Sequence, residues 1–138
     1  MKYYVIEPEV AGNIRESNFL NKETIPPVVS TLKYTFEGWL GDDLLESLLV
    51  FIVSERLKNA IETNQVTGVT FDKVEIIISE QFKVFHPDKI IPKFYWLKII
   101  GVAAQDDFGC INKRLIVSEK ALSLLKQYNL NHAEIIEY

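Results

Sequence analysis

Ile52-Val53-Ser54-Glu55-Arg56 returns 64 residues later as Ile116-Val117-Ser118-Glu119-Lys120. No other feature of the chain restricts its folding as much. Each copy is a short apolar run, then a serine, then a glutamate that opens a stretch of helical periodicity. A serine at that place accepts backbone N–H groups at a helix start. An acid in the first turn meets the positive end of the helix dipole. The first helix is expected over about 54–64, with Leu57, Ala60 and Ile61 on one face. The second is expected over about 118–128, with Ala121, Leu122, Leu124, Leu125 and Tyr128 inward. Each stops at an asparagine, Asn64 or Asn129, and a strand is expected to follow, at about 69–78 and 133–138. The unit is read as strand–helix–strand, used twice.

Around the repeat the chain reads mainly as strands. Residues 2–7 alternate and end at Pro8. Residues 8–27 hold Gly12, Asn13, Asn18 and Pro26-Pro27 and read as a long irregular connection. Leu32, Tyr34 and Phe36 alternate with Thr31, Lys33, Thr35 and Glu37, the pattern of a half-buried strand. Gly38 and Gly41 bracket a turn, after which Asp42 or Asp43 is expected to cap a short helix through about Ser47. Ser79 is expected to cap another, 79–85, that ends at His86-Pro87. Residues 94–102 are dense enough in apolar side chains for a central strand, and 103–112 read as a loop. The fold class is α+β, a single domain over 1–138 with a mixed or antiparallel sheet flanked by a few short helices.

The chain has 138 residues, enough to bury a core without staples. One cysteine, Cys110, excludes an intramolecular disulfide and a thiolate zinc cluster. His86 and His132 each stand alone, which argues against a histidine metal site. The longest strongly apolar run, Leu48 to Val53, falls far short of the roughly 20 residues of a membrane span. Glu7 and Pro8 come too early for a signal peptide, so a soluble cytoplasmic protein is expected. There is no phosphate-binding glycine loop, no dinucleotide fingerprint and no serine between paired glycines. The carboxylate pairs Asp42-Asp43 and Asp106-Asp107 are the material for a metal-dependent hydrolase, but neither has a His, Asn or Glu at ligand spacing. The residues alone therefore favour binding over catalysis, with no cofactor and no metal.

Net charge is −4, from 15 basic and 19 acidic residues, which disfavours nucleic acid as a partner. No Lys or Arg falls within 34–55, 99–112 or 127–138. Those stretches hold Glu37, Asp42, Asp43, Glu46, Glu55, Asp106, Asp107, Glu134 and Glu137. Acids meeting in space would attract a basic protein. Trp39, in a glycine-bracketed turn before acids, is the kind of side chain that anchors an interface. It can equally plug the end of a sheet.

The segment Pro26-Pro-Val-Val-Ser-Thr-Leu-Lys-Tyr-Thr-Phe-Glu-Gly-Trp-Leu-Gly-Asp-Asp-Leu-Leu-Glu-Ser47 resembles a known family. So do Lys2-Tyr-Tyr-Val5, the path from Tyr95-Trp-Leu-Lys98 through Asp106-Asp-Phe-Gly109 to Leu115-Ile-Val-Ser-Glu119, and the ending Asn129 to Tyr138. The chain is similar to the immunity proteins of bacterial polymorphic toxin systems, the kind numbered eleven. That resemblance implies a non-enzymatic protein that binds the toxic domain of a cognate effector in the cytosol and blocks it. It implies no residue-level site. The expected toxin-binding face combines the resemblance with the acid-rich stretches: Trp39 as anchor, Asp42, Asp43 and Glu46 around it, and Asp106 and Asp107 as its extension. Loop residues 8–25 are the other place where such contacts can fall. A homo-oligomeric module built on an exposed strand edge is the remaining alternative, and a homodimer is compatible with immunity.

Overall fold

A computed structural model describes residues 2–138; Met1, at the head of the expected 1–138 domain, lies outside the described residues. In chain order the elements are β1 (Tyr3–Glu7), β2 (Gly12–Asn13), β3 (Asn18–Asn21), β4 (Val28–Thr31), β5 (Lys33–Phe36), β6 (Leu44–Ser47) and β7 (Val50–Ser54). They continue with α1 (Glu55–Thr63), β8 (Val69–Asp72), β9 (Glu75–Ile78), α2 (Glu80–Phe85), β10 (Phe94–Ile99), β11 (Phe108–Ile111), β12 (Arg114–Ser118), α3 (Glu119–Leu125) and β13 (Glu134–Glu137). The α+β class holds. One sheet is mixed, with β5 and β9 parallel, and every other strand pair is antiparallel.

The repeat is real and larger than the sequence announces. The hairpin β6–β7 pairs Leu44 with Val53 and Ser47 with Val50. The hairpin β11–β12 pairs Phe108 with Val117 and Ile111 with Arg114, the same register shifted by 64. Ser54 and Ser118 cap α1 and α3 by accepting from Leu57 N and Ala121 N. β10 lies beside β7 with Phe94 opposite Ser54, and β1 lies beside β12 with Tyr3 opposite Ser118. The strands after the helices complete each sheet, Phe71 opposite Leu97 and Ile135 opposite Ile6. The two four-stranded sheets thus share one order, β6-β7-β10-β8 and β11-β12-β1-β13. In the second half the chain's first strand takes the place that β10 holds in the first.

Several expectations are corrected here. Residues 44–47 form a strand, not a helix: Leu44 and Leu45 are both fully buried, one toward each core, as in a strand buried on two faces. Residues 108–111 are a strand inside the expected 103–112 loop. The expected strand 69–78 is two strands of different sheets, and 31–37 is split at Leu32. The 8–27 connection carries β2 and β3. Residues 94–102 stop pairing at Ile99, yet β10 is central as expected.

Two cores result. Ile6, Phe51, Leu97, Phe108, Leu115 and Leu122 fill the space between the two sheets and α1 and α3. Tyr34, Phe36, Ile52, Phe82, Phe94 and Trp96 fill the space between the β7–β10 sheet and the β2-β5-β9 sheet with α2. Gly68 sits at φ +92° under the β11 strand, and a Cβ there would overlap the Phe108 carbonyl oxygen. Gly68→Ala is expected to cost about 2 kcal/mol or more, read as a lower urea midpoint.

Candidate functional site

The expected acidic face does not form. Asp42 is 1% exposed and Asp43 4%. Asp42 accepts from the backbone N–H groups of Asn131 (3.1 Å) and His132 (2.8 Å). Asp43 accepts from Ser54 Oγ (2.5 Å), Arg56 Nε (2.9 Å), Arg56 Nη2 (2.7 Å) and Asn129 N (2.8 Å). Burial alone would raise the Asp43 carboxyl. The bonds from Arg56, Ser54 and Asn129 outweigh it and hold the group below the usual carboxylate range.

Asp107 repeats the device in the second half. It accepts from Ser118 Oγ (2.6 Å) and from Thr67 N (2.9 Å). Burial opposes and these bonds prevail, so its carboxyl also lies below the usual range. Each aspartate therefore fastens its own hairpin and helix cap to the segment that follows the other half's helix. Asn129 comes after α3 and Thr67 after α1. Asp106 accepts from Val102 N (2.7 Å). The two Asp pairs occupy equivalent places in the two halves, not one shared face. A sequence signal did exist: the pairs stand 64 residues apart, the same offset as the Ser-Glu copies.

Trp39 plugs rather than protrudes. It packs edge-on against Phe36 and Phe94, and its Nε1 donates to Asp42 O (2.9 Å). Lys89 lies over its ring and donates to its carbonyl. Glu9, buried and unnoticed in the sequence, accepts from Leu40 N (2.7 Å) and Asp42 N (3.2 Å) and so holds the Gly38–Gly41 turn. Glu46 accepts from Leu49 N (3.3 Å). Burial, aided by repulsion from Glu7, pushes its carboxyl up against that bond. A raised acid favours the fold below its unfolded value and costs stability once pH rises through its folded value. Glu46→Gln is therefore expected to raise the thermal midpoint at pH 7 and to have no such effect at pH 3. A gain that is equal at both pH values would contradict the assignment.

Burial, with repulsion from Glu46 second, pushes the Cys110 thiol up to about 11, so it is not an activated nucleophile. His86 ends α2, where its backbone N–H donates to Phe82 O. Among the described residues no group of three or more His, Cys, Asp or Glu is placed to hold a metal. No helix among them is long and apolar enough to cross a membrane.

A surface with binding character lies elsewhere, between the 14–27 arm and the tip of the β6–β7 hairpin. The arm is pinned to β5 by Ser17, whose hydroxyl accepts from Lys33 N (2.8 Å) and donates to Lys33 O (3.0 Å). Beyond it opens a groove of about 640 Å³ lined by Ile14, Phe19, Ile25, Pro27, Leu48 and Leu49. Arg15 and Lys22 are its charged members, and no carboxylate lines it. The hairpin tip has left-handed backbone at both turn residues, Leu48 (φ 48°) and Leu49 (φ 65°). The second copy makes the same turn with Asn112 (φ 52°) and Lys113 (φ 59°). Such two-residue turns favour Asn and Gly, because a side chain at positive φ crowds the backbone. Leu48 is also 83% exposed. The first copy thus holds an apolar residue in a strained place and in water, where the second copy holds asparagine.

No protein-family model matches the chain, and no curated protein matches it.

Proposed function

We propose that this chain is a protein-binding domain that neutralises a toxin domain, an immunity protein of a bacterial polymorphic toxin system. The observation that carries the binding reading is the Leu48–Leu49 turn. Backbone strain and an exposed leucine both cost stability, and a partner that covers the tip and fills the adjoining groove takes that leucine out of water. The resemblance over Pro26–Ser47 and Asn129–Tyr138 supplies the toxin. The groove supplies apolar contact, and Arg15 and Lys22 in its wall favour a toxin surface that carries carboxylates there. The Asp pairs, engaged by backbone N–H groups and serine caps, favour binding over metal hydrolysis.

Co-expression with the toxic domain encoded by the neighbouring gene tests the proposal. Growth is expected to be rescued by the wild-type chain. Absence of rescue, with the chain folded and the toxin shown to be active, contradicts immunity against that toxin.

A further inference from the structure

β9 is the last strand of its sheet, and its outer edge has no partner strand. Its bonds to β5 run through alternate residues, framed by Glu75 N to Leu32 O (2.9 Å) and Ser79 N to Phe36 O (3.1 Å). In a parallel ladder that leaves the backbone groups of Ile76 and Ile78 pointing away from β5. A groove of about 630 Å³ opens beside this edge, between Ile76 and Ile78 on one side and Ile91 and Phe94 on the other. Lys83, Lys89 and Lys93 line it, and no carboxylate does. The nearest acid in sequence on α2, Glu80, pairs with Lys83 at 3.3 Å as an exposed pair, which screens little. An apolar edge with free N–H and C=O groups is a template for another strand, and Lys83 and Lys93 select its charge, Lys89 being held at Trp39.

We propose that the β9 edge receives an extended, carboxylate-bearing segment of a protein partner as an added strand. Main-chain bonds to Ile76 and Ile78 supply the pairing, and Lys83 and Lys93 supply the charge selection. This surface is separate from the hairpin-tip groove and does not depend on the partner being a toxin.

The test uses the whole chain and a hexapeptide probe with the sequence of residues 133–138, Ala-Glu-Ile-Ile-Glu-Tyr. Binding is followed by amide NMR shifts and by anisotropy. The probe is expected to shift the Ile76 and Ile78 amides. A peptide with both glutamates replaced by lysine is expected to bind about tenfold more weakly or worse, and added salt to narrow the gap. Ile78→Pro removes an outward N–H without touching the β5 ladder and is expected to abolish binding. Lys83→Glu with Lys93→Glu serves if that variant does not fold, and is expected to reverse the peptide preference. No binding to the wild-type chain, equal binding of both peptides, or shifts confined to β1 would overturn the proposal.

Discussion

Asp43→Ala is expected to remove about 3–4 kcal/mol of folding stability, a large share of the roughly 5–15 kcal/mol available to a domain. Three groups lose a partner at once. The Ser54 hydroxyl is buried, the Asn129 N–H has no alternative acceptor in the bonds described, and Arg56 loses a two-pronged ion pair. The first costs about 1–3 kcal/mol when left unmade, and the second lies at the low end of that range because Asn129 is exposed. The third costs little, since the Arg56 side chain is 59% exposed and returns to water. The damage also crosses the molecule, because Asp43 joins β6 and α1 to the segment after α3. Thermal denaturation should show a drop of about 10–15 °C. Asp107→Ala should cost less, about 1–2 kcal/mol, since its site is only half-buried and has no arginine. The acid limb gives an independent reading. A lowered carboxyl lends stability above its unfolded value near about 4 and loses it as pH falls through the folded value. Wild-type protein should therefore lose stability below about pH 4 more steeply than Asp43→Ala. A variant as stable as wild type but deficient in partner binding would return Asp43 to the role the acidic stretch first suggested.

Leu48→Asn with Leu49→Gly is expected to act in the opposite direction. The pair carries the residues that the turn geometry favours, and because Leu49 is half-buried against the first core the net gain is smaller than the turn alone would give, about 0.5–1 kcal/mol. The second half already performs this exchange in part, with Asn112 at the position equivalent to Leu48. The same double variant strips two apolar side chains from the groove wall. It should bind its partner at least about tenfold more weakly, a loss of about 1.4 kcal/mol or more. Greater stability joined to weaker binding is the signature of strain held at a functional surface. Stability without loss of binding would leave the turn an unexplained local defect.

Most of the strands, all three helices and all three serine caps were legible, because each follows from local chemistry: alternation in β1 and β5, apolar density in β10, and Ser-Glu before a helical period at residues 54, 79 and 118. β2 and β3 were not, lying in what reads as an irregular connection, nor was most of β4, nor were β6 and β11. Leu44-Leu45-Glu46-Ser47 and Phe108-Gly109-Cys110-Ile111 share no residue and show no clean alternation, so only the 64-residue offset links them. β8 and β9 read as one strand because the break at Lys73-Val74 holds neither Gly nor Pro. The candidate site was misread for a physical reason. Adjacent aspartates without bases look like a solvated acidic face, whereas buried ones with backbone donors look identical in sequence. What separates them is the location of Asn129, Asn131 and Thr67, which only the tertiary fold supplies. The Leu48–Leu49 turn gave a signal in the repeat, since its second copy is Asn112-Lys113, but that signal appears only once the hairpins are aligned.

The most direct measurement is titration of a purified candidate toxic domain, taken from a gene beside this one, into the purified chain by calorimetry. The account predicts a saturable complex, tight enough to account for growth rescue, that Leu48→Asn with Leu49→Gly weakens. No heat of binding between folded proteins, with the toxin active, would contradict it.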